Sequence, residues 1–286
     1  MANVHYAKIG DVWKHLPLAE VLAIERPGYY WESHAGSSSY PLTRSPERDY
    51  GVFLFLERAG SSVALEGSTY RRLLYLRRRG RTLQTYPGSP LIAMELLEDT
   101  AEFVFCDLDG QSLATIAQDA RALGVPSGRV RLVQGDGVSA LVDELAALAE
   151  EQASRTFLHV DPYRPSEPGH GGESSLGLFA RAAQRGVGCM LWYGFDSRGE
   201  RAVVLEALRE RITGGAWYGE VSLRAKDLSE VGFDPGVLGC GVVMCNVEQG
   251  ALAACSRLGE GLAEAYAGAR LPNGRDGELE FEEGTF

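Results

Sequence analysis

The chain is predicted to be an α/β protein built on a doubly wound, mostly parallel sheet. Two observations support this. Short runs rich in β-branched and aromatic residues alternate along the chain with longer segments that are apolar at i, i+3, i+4 spacing. The apolar runs also stop at polar, turn-prone clusters, as strand ends do where an open parallel sheet holds a ligand.

The strands are expected at 29–33, 103–107, 130–134, 157–160, 189–193, 217–224 and 241–247, and the intervening helices at 112–123, 138–150, 176–185 and 202–212. Before the first strand, Lys14 and His15 open a helix that runs to Leu22. The first strand ends at His34-Ala35-Gly36-Ser37, where Gly36 lets the backbone pass close to a ligand. Residues 37–85 break the alternation with a helical, loop-like pattern that separates the first strand from the helix expected to follow it, which divides the chain into 1–36, 37–85 and 86–286. The segment joining the last two strands is too short and too rich in Gly and Pro for a crossover helix, so those strands should pair antiparallel. The acidic stretch 277–283 reads as a solvated end.

At 286 residues and 45% hydrophobic, the chain can bury a full core. It has no run of 18 apolar residues and no apolar secretory segment after Met1, so a cytoplasmic protein that does not engage membranes is expected. The five cysteines show no Cys-x-x-Cys spacing and read as reduced core residues, and no metal site is expected. A net charge of -11 disfavours RNA, because phosphate backbones are bound mainly through basic patches. The one basic block, 71–81, is either a solvated helix face or an anion-contacting patch. Lysine occurs only at Lys8, Lys14 and Lys226 among 28 basic residues, a bias typical of GC-rich coding.

Two strand ends bear carboxylates. Asp107 is placed to accept both hydroxyls of a ribose, with Asp109 the nearer candidate for capping the next helix. Asp161, in Phe157-Leu158-His159-Val160-Asp161-Pro162-Tyr163, ends the fourth strand, as a proton or hydrogen-bond acceptor or as a turn cap. Asp136-Gly137 follows the third strand as a base contact or a bare turn. His159 reads as a core histidine. His170 lies in the Gly- and Pro-rich loop 165–172, and Trp192 and Tyr193 are either core aromatics or a wall for a flat substrate, beside Pro162.

Asp11-Val12-Trp13-Lys14-His15, His34-Ala35-Gly36, Tyr86-Pro87-Gly88-Ser89-Pro90-Leu91-Ile92-Ala93, Asp136-Gly137, Leu191-Trp192-Tyr193 and Gly239-Cys240-Gly241-Val242-Val243 occur in an order that resembles the bacterial 23S rRNA adenine-N6 methyltransferases of the RlmJ type. The resemblance runs from about His5 to Val247. It implies a Rossmann-like class I fold of seven strands with a helical lid inserted at 37–85, S-adenosylmethionine (SAM) as methyl donor with its methionine carboxylate end held by Lys14 and His15, and S-adenosylhomocysteine as product. It also implies cofactor contacts at His5, Lys14, His15, His34, Gly36, Ser89, Asp107, Asp136, Gly137 and Asp161. The family's Asp-Pro-Pro-Tyr is here Asp161-Pro162-Tyr163-Arg164, which advances the aromatic residue by one position and re-aims its ring. With the acidic charge, this departure points to a small heteroaromatic acceptor of indole or tryptophan-derived type, and Asp161 and Tyr163 become the catalytic candidates. Adenine-N6 methylation of 23S rRNA is the alternative, and a SAM-binding regulatory protein without activity is a third. The oligomeric state is not legible from the sequence.

Overall fold

The computed structural model describes residues 6–80, 82–212, 214–231 and 237–286. Its central sheet has eight strands: β1 (Tyr29–Glu32), β2 (Glu102–Asp107), β3 (Val130–Gln134), β4 (Thr156–Val160), β5 (Gly188–Phe195), β6 (Trp217–Leu223), β7 (Gly239–Cys245) and β8 (Leu279–Thr285). Their order is β8-β6-β7-β5-β4-β1-β2-β3. The strands from β3 to β5 pair parallel, whereas β7 pairs antiparallel with both β5 and β6. The antiparallel pair expected from the short final connection is therefore present.

The eighth strand is a correction. The acidic stretch read as a solvated end forms β8, antiparallel to β6 at the sheet edge. Its residues alternate: Leu279 is buried, and the Phe281 ring meets Trp13 edge-on at 5.4 Å. The intervening glutamates face basic partners, with Glu278 and Glu280 pairing with Arg224 and Glu282 with Arg201. Glu280 and Glu282 thus occupy one face of the strand, while Glu283, on the face of Leu279 and Phe281, accepts from the Trp217 indole N–H at 2.8 Å.

Helices cover both faces. On one lie α1 (Ile9–Glu25), α2 (Thr69–Leu76), α3 (Ser89–Leu97), α4 (Gly110–Leu123) and α8 (Gln249–Ala265), around a core that includes Trp13, Leu16, Tyr30, Ile92, Phe103 and Leu258. On the other, α5 (Gly137–Ala147), α6 (Ser175–Gln184) and α7 (Arg198–Arg211) cover a second core with Leu141, Phe179 and Leu191. Each fully buried Leu or Phe contributes roughly 1.5–3 kcal/mol. Helix α1 is central to the first core: Val12, Trp13, Leu16 and Leu18 are fully buried, and the Trp13 indole donates to the Gly219 carbonyl at 3.1 Å.

Residues 37–85 are mainly short helices, closed at the base by pairing of Ser39–Pro41 with Thr85–Pro87. The insert packs on the body of the molecule: the Tyr50 hydroxyl donates to the Gly277 carbonyl at 2.6 Å, and the Tyr266 hydroxyl on the segment after α8 donates to the Tyr50 carbonyl at 2.9 Å. All five cysteines are buried and free. No helix among the described residues is long and apolar enough to cross a membrane.

Candidate functional site

The parallel strands bring the C-terminal ends of β1, β2, β3 and β4 to one edge of the sheet. Strand order reverses at β1, which lies between β2 and β4. The connections leave β1 and β4 in opposite directions there and open a crevice, the usual ligand position in doubly wound sheets. Lys14, Asp161, His34, Gly36 and Asp107 converge on it.

Asp107 is held by two backbone donors. Gly36 N–H donates to its Oδ2 at 2.7 Å and Asp109 N–H to its Oδ1 at 2.8 Å. Gly36 makes the first bond from a left-handed conformation, φ 62°, and a Cβ there would press on the Tyr40 hydroxyl. Each carboxylate oxygen has further acceptor capacity. Asp109 caps α4, accepting from Gln111 N–H and the Ser112 hydroxyl, so the two acids divide their roles as the sequence suggested. Ser38 bonds Thr115 and Asp119 and ties the turn to α4.

Lys14 reaches from α1 to the end of β4. Its Nζ donates to Asp161 Oδ2 at 2.5 Å and lies 3.1 Å from Asp11 Oδ1. Burial works against the Lys14 charge, but the two carboxylates outweigh it and hold the ammonium well above its ordinary range. The two acids move in opposite directions. Burial raises Asp161, but Lys14 with His159 and His34 overcomes this and sets its carboxyl below the usual value. At Asp11 burial prevails over Lys14, and its carboxyl is raised. The shorter contact accounts for the difference: of the two acids, Asp161 is the one the ammonium favours more in its ionised form.

Beneath this pair is a buried polar layer. Glu32 is fully buried and accepts from the Ser89 hydroxyl at 2.5 Å and the Tyr30 hydroxyl at 3.1 Å, and His159 Nδ1 lies 2.9 Å from it. His159 is thus buried as expected, in a polar network. His15 Nδ1 meets the Tyr86 hydroxyl at 2.9 Å, and Tyr70 donates to Tyr86 at 2.8 Å. Burial, with Lys14 nearby, pushes the His15 imidazole well below its ordinary pKa. His34 is also lowered by burial, against the pull of Asp161, Asp107 and Asp136, and its Nδ1 lies 2.8 Å from the Ser33 hydroxyl.

The remaining candidates divide. Asp136 caps α5, accepting from Val138 N–H at 3.0 Å and the Ser139 hydroxyl at 2.7 Å. Gly137 packs so tightly that a Cβ would collide with the Ser33 carbonyl oxygen. Gly137→Ala is therefore expected to lower stability by about 1–3 kcal/mol, read as a fall in denaturation midpoint. Pro162 is buried, but Tyr163 is 88% exposed, with the Arg164 guanidinium 5.6 Å from its ring. The ring does not pack over Asp161, in keeping with its one-position advance. The loop bearing the exposed His170 lies against the N-terminus of α5, with Gly169 beside the Asp136 carboxylate.

Trp192 is half-buried, with its ring 5.7 Å from Lys14 Nζ, and stands beside the crevice. Tyr193 does not, which corrects its assignment as a substrate wall. Strand parity sends it to the opposite face of β5, where it is fully buried and donates to Glu220 at 2.6 Å. His5 lies outside the described residues. Sequence reasoning missed Glu32 and Tyr30, which bond each other and share the distant partner His159, and Leu108, an apolar side chain 68% exposed directly beside Asp107. Its signal was an apolar residue between two turn-forming acids.

Two open concavities lie away from this edge. One, of about 650 Å³, is lined by Arg201, Arg209, Tyr218 and Glu282. The other, of about 310 Å³, lies at the opposite ends of the strands, beside Arg26, Gly28 and Arg155. Among the described residues, no group of three or more His, Cys, Asp or Glu side chains is placed to hold a metal ion.

No family model and no curated protein sequence matches the chain. A solved structure of a Legionella pneumophila protein with the family label DUF519 is similar over 98% of each chain, at 21% identity and a TM-score of 0.75, and shares the fold. Weaker likenesses include the Streptomyces achromogenes O-methyltransferase TomG, involved in tomaymycin synthesis and solved with SAM, at 10% identity over 81% of this chain and 79% of that one, with a TM-score of 0.42. A SAM-dependent methyltransferase from Agrobacterium tumefaciens matches at 16% identity over 82% of this chain and 59% of that one, with a TM-score of 0.39. Neither of these two is close enough to bear on chemistry.

Proposed function

We propose that the chain is a SAM-dependent methyltransferase whose acceptor is a small, flat heteroaromatic ring of indole or tryptophan-derived type, methylated at ring carbon or nitrogen. The observation that supports it best is the pairing, across one crevice, of Asp107 fixed by two backbone N–H groups with Asp161 kept ionised by Lys14.

The residues suit SAM. The Asp107 oxygens have acceptor capacity for two ribose hydroxyls, and Leu108 offers an apolar surface to the adjoining base. The left-handed turn at Gly36 brings bare backbone up to the ligand. When bound, SAM supplies an electrophilic methyl group on a sulfonium. Asp161, anchored through Oδ2 by Lys14, presents Oδ1 to the acceptor's N–H or O–H. It aligns the acceptor by hydrogen bond and takes the proton when the acceptor must lose one. Half-buried Trp192 flanks the pair as an aromatic surface. Tyr163 is a subsidiary candidate, acting only where the acceptor extends out to its exposed ring.

Asp107→Ala is expected to weaken S-adenosylhomocysteine binding about 10- to 100-fold, as loss of charge-assisted hydrogen bonds worth ~1.5–3 kcal/mol each implies. Unchanged affinity by calorimetry would remove Asp107 from the site.

The second reading, adenine-N6 methylation of 23S rRNA, is favoured by the aromatic and basic face of the insert. There the half-exposed Tyr75 is flanked by the Arg71 and Arg78 guanidiniums at 4.4 and 3.8 Å from its ring. Label transferred from SAM to an adenine-bearing rRNA fragment, with none on indole-type compounds, would select it.

A further inference from the structure

Asp107 and Asp136 both stand at strand ends of the crevice, and they differ in how much acceptor capacity is already used. An ionised carboxylate offers about four lone-pair sites. Asp107 accepts from two backbone N–H groups, of Gly36 and Asp109. Asp136 accepts from four donors: Val138 N–H at 3.0 Å, Ser139 N–H at 3.4 Å, the Ser139 hydroxyl at 2.7 Å, and Gly171 N–H. Burial works against its charge, but these donors outweigh it and set the carboxyl below the usual range. With its oxygens filled, Asp136 has no site left for the amino group of a bound base.

The fourth donor comes from the loop that follows Asp161 and Pro162. Residues 163–174 turn back on themselves: Pro168 bridges Ser174, Gly169 N–H donates to the Glu173 carbonyl at 2.8 Å, and Leu176 N–H to the Pro165 carbonyl at 3.0 Å. The tip of this compact loop, 169–172, lies on the first turn of α5. The approach is close, since a Cβ at Gly169 would stand 2.6 Å from Asp136 Oδ2 and one at Gly171 would strike the Ser139 hydroxyl. Below the contact, Gly137 packs on the Ser33 carbonyl and on Cys106, beside the ends of β1 and β2. The tip is thereby brought to the end of the crevice that Asp107 and Leu108 form.

We infer that Asp136 is a positioning residue that latches the loop 163–174 over the base end of the crevice, so that the cofactor's base is enclosed by the loop and not read by the Asp136 carboxylate. This rests on the SAM reading of the site and departs from the family resemblance, which implies a cofactor contact at Asp136. The cofactor then leaves when the latch opens, and the loop sets the rate of its release.

The test measures dissociation of S-adenosylhomocysteine and of S-inosylhomocysteine, in which an oxygen replaces the amino group of the base, by stopped flow from wild type and Asp136→Asn. Asparagine remains a good cap for α5, but it has only one acceptor oxygen and cannot hold both the helix and the loop. Both ligands are expected to leave the variant about 10-fold faster than wild type, by the same factor. Faster release of S-adenosylhomocysteine alone would make Asp136 a reader of the base and overturn the inference. Unchanged release of both would make it a helix cap only and overturn it equally. If the variant does not fold, or the analogue does not bind, amide exchange at Gly171 in wild type decides. Its amide should be protected with S-adenosylhomocysteine bound, and loss of protection on binding overturns the inference. Failure of wild type to bind S-adenosylhomocysteine at all would instead overturn the SAM reading.

Discussion

Asp161→Asn is expected to lower methyl-transfer turnover by about 100- to 10,000-fold while leaving S-adenosylhomocysteine affinity within about threefold, because the side chain acts on the acceptor after the cofactor is seated. Asparagine keeps the shape and removes the charge, so the loss isolates the carboxylate's part in aligning and deprotonating the acceptor. Lys14 keeps Asp161 below the ordinary carboxylate range, so activity should hold through neutral pH and decline only in acid below that range. Single-turnover rates with calorimetric affinities separate the effects. A loss confined to KM, with kcat unchanged, would place Asp161 in ground-state binding.

Lys14→Met is expected to destabilise the fold by about 3–5 kcal/mol, the cost of removing one partner from a buried ion pair. Without the ammonium, Asp11 and Asp161 face each other in a layer where only 16% of either side chain is exposed. Adding Asp161→Asn to Lys14→Met should recover part of the loss, since one of the two charges is then gone. Denaturant unfolding of the single and double variants measures this, and a single variant within about 0.5 kcal/mol of wild type would show that the triad contributes little. The pH window follows from the two shifts. Asp161, lowered in the folded state, contributes stability above its unfolded value of about 3.9 and loses it as pH falls through the folded one. Lys14, raised in the folded state, contributes fully below its unfolded value of about 10.4 and loses it only as pH rises past the folded one. Asp11, raised by burial, opposes both once it ionises.

Local patterns gave away whatever depended on neighbouring residues. The alternation of apolar runs placed the seven strands from β1 to β7, and Asp109 was recognisable as a cap because it lies directly before an apolar helix. β8 was hidden because its Leu-Glu-Phe-Glu alternation is that of an edge strand in which charge masks the buried half. Tyr193 could not be separated from Trp192, because both faces of β5 are covered and hydrophobicity alone does not set parity. The polar layer under the site was illegible for another reason. Lys14 and Asp161 are 147 residues apart, Glu32 and His159 127, and no local periodicity reports a pairing made by the sheet.

The most direct test of the central claim is a crystal structure of the protein with S-adenosylhomocysteine. The ribose hydroxyls are expected on Asp107, the base against Leu108, and the sulfur facing the Asp161-Pro162 turn in the crevice between β1 and β4. A ligand seated elsewhere, such as the concavity beside Arg26 and Arg155, or no uptake at saturating concentration, would contradict it.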